Sequence, residues 1–215
     1  MSLRFDCADP AGRARGLEQA AGAIKRGELV VLPTDTVYGV GADAFTHDAV
    51  AALRDAKGRG RDLPVPVLVG SPRTLDGLAL GLTQHTRDLV AAFWPGALTV
   101  VCREQPSLSW DLGDTRGTVA VRMPLHPVAI ELLVATGPMA VSSANRSGEP
   151  PATTADEAEQ QLGEAVSVYL DGGSRADAVP STILDVTGEV PVVLRLGAVP
   201  LDQLREVVPS IPDPG

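Results

Sequence analysis

Alternating helix-like and strand-like segments predict an α/β fold, a single domain in which helices flank one mixed sheet. Three observations carry this. Apolar residues at helical spacing exchange with short apolar runs along the whole chain. No internal repeat or long linker interrupts that alternation. A chain of 215 residues with 44% hydrophobic content can bury about 70% of its unfolded surface without a disulfide or metal staple. The expected organisation is one domain over residues 1–208, followed by a frayed tail at 209–215.

The elements follow in order. Leu17, Ala20, Ala21 and Ile24 recur at helical spacing, and Gly27 ends that helix. Leu29 to Leu32, bounded by Gly27 and Pro33, reads as a buried strand. Thr46 is expected to cap a helix with Ala49, Val50, Leu53 and Ala56 on its apolar face. Val65 to Val69 reads as a strand, and Pro66 suggests an edge or irregular position. A helix over Thr83 to Phe93 is broken by Trp94-Pro95-Gly96. Strands follow at Leu98 to Cys102 and Thr118 to Arg122, a helix at Pro127 to Thr136, and a strand at Met139 to Val141. Ser142 to Gly148 reads as a polar turn. Strands near Val166 to Leu170, Thr182 to Val186 and Val192 to Leu194 complete the sheet, with a closing helix at Leu201 to Val208.

Charge narrows the function. Twenty-seven acids against 18 bases give a formal net charge of -9. Such a chain lacks the broad basic face that sequence-independent nucleic-acid binding needs, so stable direct binding of RNA is not expected. Aromatic content of 3% likewise argues against a base-stacking platform. No apolar run approaches the ~20 residues that span a bilayer, so no membrane association is expected. Cys7 and Cys102 are isolated thiols, which fits a reducing cytoplasm. His47, His85 and His126 show no metal-ligand spacing, and no zinc site is expected.

Against this acidic background, Lys57-Gly58-Arg59-Gly60-Arg61 places three cations within five residues. Glycines between the charges let an anion approach the main chain, while Lys supplies a point charge and Arg a planar fork. A polyphosphate fits; a solvated loop is the plainer alternative. Pro33-Thr34-Asp35-Thr36-Val37-Tyr38-Gly39-Val40-Gly41 follows the first strand. Its Gly39-x-Gly41-x-x-Ala44 end imitates a dinucleotide fingerprint but lies too far beyond the strand to form the tight turn that motif requires. Thr34, Thr36 and Tyr38 suggest a pocket wall, or a turn satisfied by its own Asp35 and Thr34. Ser142-Ser143-Ala144-Asn145 offers small donors for phosphate or ribose oxygens at a strand end, or a capping or turn role. Arg122 after an apolar strand calls for a carboxylate or phosphate partner, from a ligand or from a structural ion pair. Arg195 occupies the same kind of position, and Pro180-Ser181-Thr182 opens another strand. No phosphate-loop GxxxxGK[ST] is present.

Together these segments resemble the YrdC-like family of threonylcarbamoyl-AMP synthases. The matching pieces are LPTDTVYGVGADA from Leu32, KGR from Lys57, WPGALTVV from Trp94 and TVAVRMPLHP from Thr118. SSANRSG from Ser142, PSTILD from Pro180 and RLGAV from Arg195 complete the set. The resemblance implies a twisted mixed α/β sheet with a large concave, positively charged cavity. It implies an enzyme, a nucleotidyltransferase, that joins L-threonine, bicarbonate and ATP into threonylcarbamoyl-AMP and releases pyrophosphate, with Mg²⁺ accompanying the ATP. Lys57 and Arg59 would hold the phosphates as the catalytic pair, with Ser143, Asn145 and Arg195 on the nucleotide and main chain at Leu63 and Thr118 touching it. Thr34, Arg122 and Ser181 would hold threonine. A separate tRNA threonylcarbamoyl transferase complex would take the product, and a homodimer is left open. Relatives often carry Lys or Asn where Leu63 stands, and longer members add a C-terminal domain that is not expected here. An RNA-binding or ribosome-maturation role for the same cavity is the alternative from another class.

Overall fold

Alternate residues of the central strands enter two different cores, and that alternation is what creates the cavity. The computed structural model describes residues 2–175 and 179–214. The strands are β1 (Leu3–Asp6), β2 (Val30–Leu32), β3 (Gly39–Asp43), β4 (Val67–Leu68), β5 (Ala79–Leu80), β6 (Leu98–Glu104), β7 (Thr118–Arg122), β8 (Met139–Ser143), β9 (Val168–Asp171), β10 (Thr182–Asp185) and β11 (Val192–Arg195). They form one sheet in the order β1-β9-β2-β3-β8-β4-β7-β6-β10-β11, with β5 added on β6. Both parallel pairs, such as β4 with β7, and antiparallel pairs, such as β3 with β8, occur. The helices are α1 (Pro10–Lys25), α2 (His47–Lys57), α3 (Leu75–Leu78), α4 (Gln84–Phe93), α5 (Pro127–Thr136), α6 (Ala155–Leu162) and α7 (Leu201–Val207). No helix among the described residues is long and apolar enough to cross a membrane.

In the half of the sheet from β9 to β4, both faces are covered. Val30, Leu32, Leu68, Met139, Val141, Val168 and Leu170 pack with Ile24 of α1 and Leu132 and Leu133 of α5. Their neighbours Val31, Val67, Ala140 and Tyr169 enter the other core with residues of α2, α4, α6 and α7. Coverage on both faces explains why these strands read as short unbroken apolar runs. Pairing carries the same two faces onward, with Val67 opposite Val121 and Leu68 opposite Arg122. Val100 then lies opposite Val121, and Val101 opposite Ala120. On this second half the Val100–Val121–Leu184 face stays in the larger core. The opposite face, with Thr99, Val101, Ala120, Arg122 and Ile183, loses its helical cover and becomes the floor of a cavity.

Several expectations are corrected. β4 lies between β8 and β7, so of the edge or irregular position expected at Pro66 the edge does not hold. Pro66 is tolerated because it precedes the two-residue strand, where its carbonyl still accepts from Val141 N–H. Thr46 occupies the N-cap position of α2 without capping it, because its hydroxyl donates to Asp43 Oδ2 at 2.7 Å. Gly39 and Gly41 lie inside β3, where an added Cβ would come within 2.7 Å of Val141 Cγ1 and 2.8 Å of Met139 Cε respectively. Those glycines serve side-chain packing across the sheet, in agreement with the rejection of a dinucleotide turn there. The segment after α7 is docked rather than frayed as far as Ile211, which is 2% exposed and whose carbonyl accepts from Arg205 Nε.

Candidate active site

The uncovered half-sheet and the loops around it enclose a cavity of about 640 Å³. Its charged lining residues are Arg59, Arg122 and Arg195, with no Asp or Glu among the described lining. Burial is the first cause depressing the pKa of all three guanidiniums. Partial desolvation disfavours their charge, so an anion entering the cavity relieves an existing cost. A chain of net charge -9 thus keeps a cationic interior.

Arg59 reaches this interior through the end of α2. Gly58 takes the left-handed conformation at φ 61°, and Arg59 N–H returns to Arg54 O at 2.9 Å, a C-terminal motif that favours glycine. The turn separates the three cations. Arg59 lines the cavity, its Nε donating to Leu63 O at 2.7 Å and its Nη2 to Pro64 O at 3.0 Å. Arg61 instead grips Asp111 with two bonds of 2.8 Å. Lys57, 3% exposed, donates its ammonium to the carbonyls of Ser143 and Asn145. Lys57 and Asn145 therefore stand behind the cavity wall, outside the lining residues, and fix the turn that carries Ser143. Asn145 Nδ2 completes that turn by donating to Arg146 O and Glu149 O, each at 2.8 Å.

Burial, aided by the charge of Arg59, lowers the Lys57 pKa to about 8. Above that pH the two carbonyls lose a cationic donor, so activity that depends on the Ser143 turn is expected to fall as pH rises through about 8. Stability moves the other way. The unfolded chain holds this proton up to the ordinary lysine value of 10.5, so this group's contribution to stability rises between about 8 and 10.5. A rate profile from pH 7 to 10 that stays flat would sink the activity expectation.

Opposite the cationic turn, Arg122 ends β7 with 6% exposure. Nε donates to Gly96 O at 2.9 Å, Nη1 to Thr36 Oγ1 at 2.9 Å and Nη2 to Asp35 Oδ1 at 2.6 Å. The structural ion pair left open by the sequence is thus present, and Arg122 is a lining residue of the cavity as well. Thr34 sits beside it and donates to Val37 O at 2.6 Å. Ser181 and Arg195 form the third group. Arg195 Nη2 donates to Ser181 O at 2.7 Å, and Ser181 Oγ lies 2.9 Å from Thr99 Oγ1. Thr182 anchors this corner by donating to Val199 O at 2.6 Å while accepting from Gly197 and Val199 N–H.

Of the ten residues singled out in the sequence, Thr34, Arg59, Leu63, Thr118, Arg122, Ser143, Ser181 and Arg195 share one cavity. Leu63 lies 51% exposed with its carbonyl taken by Arg59, and Thr118 N–H is taken by Thr115 O. Sequence reasoning missed Thr99, whose signal was a hydroxyl inside an apolar strand, and gave Asp35 no partner beyond its own turn.

An α/β sheet with one half bared to form an arginine-lined cavity has the shape and charge of a site for small anionic molecules. The Sua5/YciO/YrdC family model, described as telomere recombination, matches residues 22–197. A Mycobacterium tuberculosis protein provisionally named threonylcarbamoyl-AMP synthase is 60% identical over 208 residues, 97% of this chain and 96% of its own length. The threonylcarbamoyl-AMP synthase of Pyrococcus abyssi is 38% identical over 193 residues, 89% of this chain but 57% of its own. The crystal structure of Pyrococcus abyssi Sua5 complexed with L-threonine superposes with a TM-score of 0.88 at 34% identity, covering 97% of this chain and 61% of that one. This chain belongs to the Sua5/YciO/YrdC family.

Proposed function

We propose that this protein is a threonylcarbamoyl-AMP synthase that condenses L-threonine, bicarbonate and ATP into threonylcarbamoyl-AMP and pyrophosphate. One observation carries the reading: Arg59, Arg122 and Arg195 and a set of hydroxyls converge on a single cavity with no opposing carboxylate in its described lining. The relatives' names supply the substrate class. Within the cavity, the Arg59–Ser143 side suits the phosphates, with Arg195 assisting. The Thr34–Arg122–Ser181 side suits threonine, whose carboxylate would meet Arg122.

Threonine's amine and bicarbonate give a carbamate with loss of water. A carbamate oxygen then forms the new bond to the α-phosphorus, while the bond from that phosphorus to the bridging oxygen breaks and leaves with pyrophosphate. Charge gathers on phosphoryl oxygens in the transition state, where Arg59 neutralises it. Threonine would be chosen over valine because a site that bonds a hydroxyl rejects an analogue without one. The described lining holds no carboxylate for Mg²⁺, and the described residues contain no cluster of three His, Cys, Asp or Glu fit to hold a metal. These residues do not make a resident metal site, so Mg²⁺ would enter as part of the nucleotide.

We place the protein in the cytoplasm, where the unpaired thiols Cys7 and Cys102 stay reduced, and hand its product to a tRNA threonylcarbamoyl transferase complex. The test is mass detection of threonylcarbamoyl-AMP from purified protein with the three substrates, beside a filter-binding titration with tRNA. Product that requires all three substrates is expected. Tight tRNA retention without product would turn the reading towards RNA binding.

A further inference from the structure

Arg122 owes its orientation to a residue to which no role has been assigned. We propose that Asp35 is a positioning residue for Arg122, acting with Thr36 to lock the guanidinium so that its remaining N–H groups meet a substrate carboxylate. This rests on the reading of that side of the cavity as the amino-acid subsite.

A guanidinium has five N–H groups in one plane. Nε, Nη1 and Nη2 each bond one acceptor, on three separate segments: Gly96 O, Thr36 Oγ1 and Asp35 Oδ1. Three anchors fix both the plane and the rotation of the group about its long axis. One N–H on Nη1 and one on Nη2 have no partner among the described residues. A free N–H on each terminal nitrogen leaves donors that a substrate carboxylate can take.

Asp35 is itself rigid. Its Oδ1 also accepts from Leu125 N–H at 2.8 Å, tying it to the segment that leads into α5. The hydroxyls are directed too. Thr34 Oγ1 gives its hydrogen to Val37 O, and Thr36 Oγ1 accepts from Arg122. The 3.1 Å contact between the two hydroxyls is therefore made by the Thr36 hydrogen. Arg122 thus stands at the head of an ordered chain through Thr36 and Thr34 to the backbone of the loop. Asp35 also counters the positive charge of Arg122, with side-chain exposures of 14% and 8% for the pair. Without that carboxylate, a buried cation beside Arg195 would be drawn away from its place in the cavity.

The experiment compares wild type with Asp35→Ala and Asp35→Asn. Asparagine keeps an oxygen that can accept from both Nη2 and Leu125 N–H, whereas alanine keeps neither. Asp35→Ala is expected to raise the threonine KM about tenfold or more, the scale of a lost bond to a charged group. The ATP KM should stay within about threefold, and Asp35→Asn should restore most of the loss. In parallel, the NMR signal of Arg122 Nε–H is expected to be sharp in wild type and Asp35→Asn and broadened in Asp35→Ala. Equal rises in both KM values, or an unmoved threonine KM with a sharp Arg122 signal, would overturn the assignment. If wild type makes no adenylate yet the signal still broadens in Asp35→Ala, positioning stands and the substrate reading alone fails.

Discussion

Arg59→Ala is expected to lower the rate of threonylcarbamoyl-AMP formation about a hundredfold or more, the scale seen when one preorganised charge-stabilising donor is removed. Arg59 is the one cation of the Lys57–Arg61 turn that lines the cavity. Its Nε and Nη2 are held by Leu63 O and Pro64 O, so its orientation precedes any ligand. Lys57→Ala is expected to produce a loss of the same order by a different route. The Ser143–Asn145 turn would lose the ammonium that joins its carbonyls, and a fall in thermal stability should accompany the rate loss. Arg61→Ala supplies the contrast. That side chain is engaged with Asp111 at the surface, and pairs of this kind contribute little, so the rate should stay within about threefold of wild type. Single-turnover formation of product from labelled ATP measures all three. An Arg59→Ala rate equal to wild type would remove the phosphate role.

These three side chains also show what the sequence could and could not convey. Their proximity along the chain announced an anion site, but the left-handed Gly58 sends one inward behind the wall, one into the cavity and one to the surface. Local signals located β7 and α5, because an apolar alternation ending in Arg122 and a proline opening Pro127–Thr136 are self-contained. Pro66 misled because β4 is only two residues long, and its place between β8 and β7 is set by partners far away in sequence. β1 was overlooked since the pattern of Leu3–Asp6 is mostly exposed. β3 was overlooked since Gly39 and Gly41 carry no apolar side chain to display a period. The oddity of Arg122 was visible as a charge after Val119-Ala120-Val121. Its partner was not, because Asp35 lies 87 residues earlier and only the sheet order brings the two together.

Gly197→Ala is expected to damage the Ser181–Arg195 corner, even though position 197 contributes no side chain. An added Cβ would lie 2.1 Å from Pro180 O and 2.7 Å from the Ser181 carbonyl carbon. Both obstacles are backbone, which cannot rotate aside as a flexible side chain would. The loop after β11 must therefore move away from the residues that open β10. That movement strains the bonds from Gly197 N–H and Val199 N–H to Thr182 Oγ1, 2.9 and 3.1 Å long. It also strains the grip of Arg195 on Ser181 O. Overpacking a tight site costs about 1–3 kcal/mol, and more against fixed backbone. For a chain of this size each kcal/mol lowers Tm by about 2–4 °C. A drop of several degrees is expected, together with a threonine KM raised about tenfold, because Ser181 shifts relative to Arg122 by distances that matter for positioning. Thr182→Val separates the two components. It removes the hydroxyl that receives both N–H groups without forcing the backbones apart, so it should lower Tm while moving the threonine KM less than Gly197→Ala does. Thermal melts and threonine titrations of the two variants decide the matter. If Gly197→Ala melts and binds like wild type, the close approach of the 197 and 180–181 backbones is not what holds the subsite in shape.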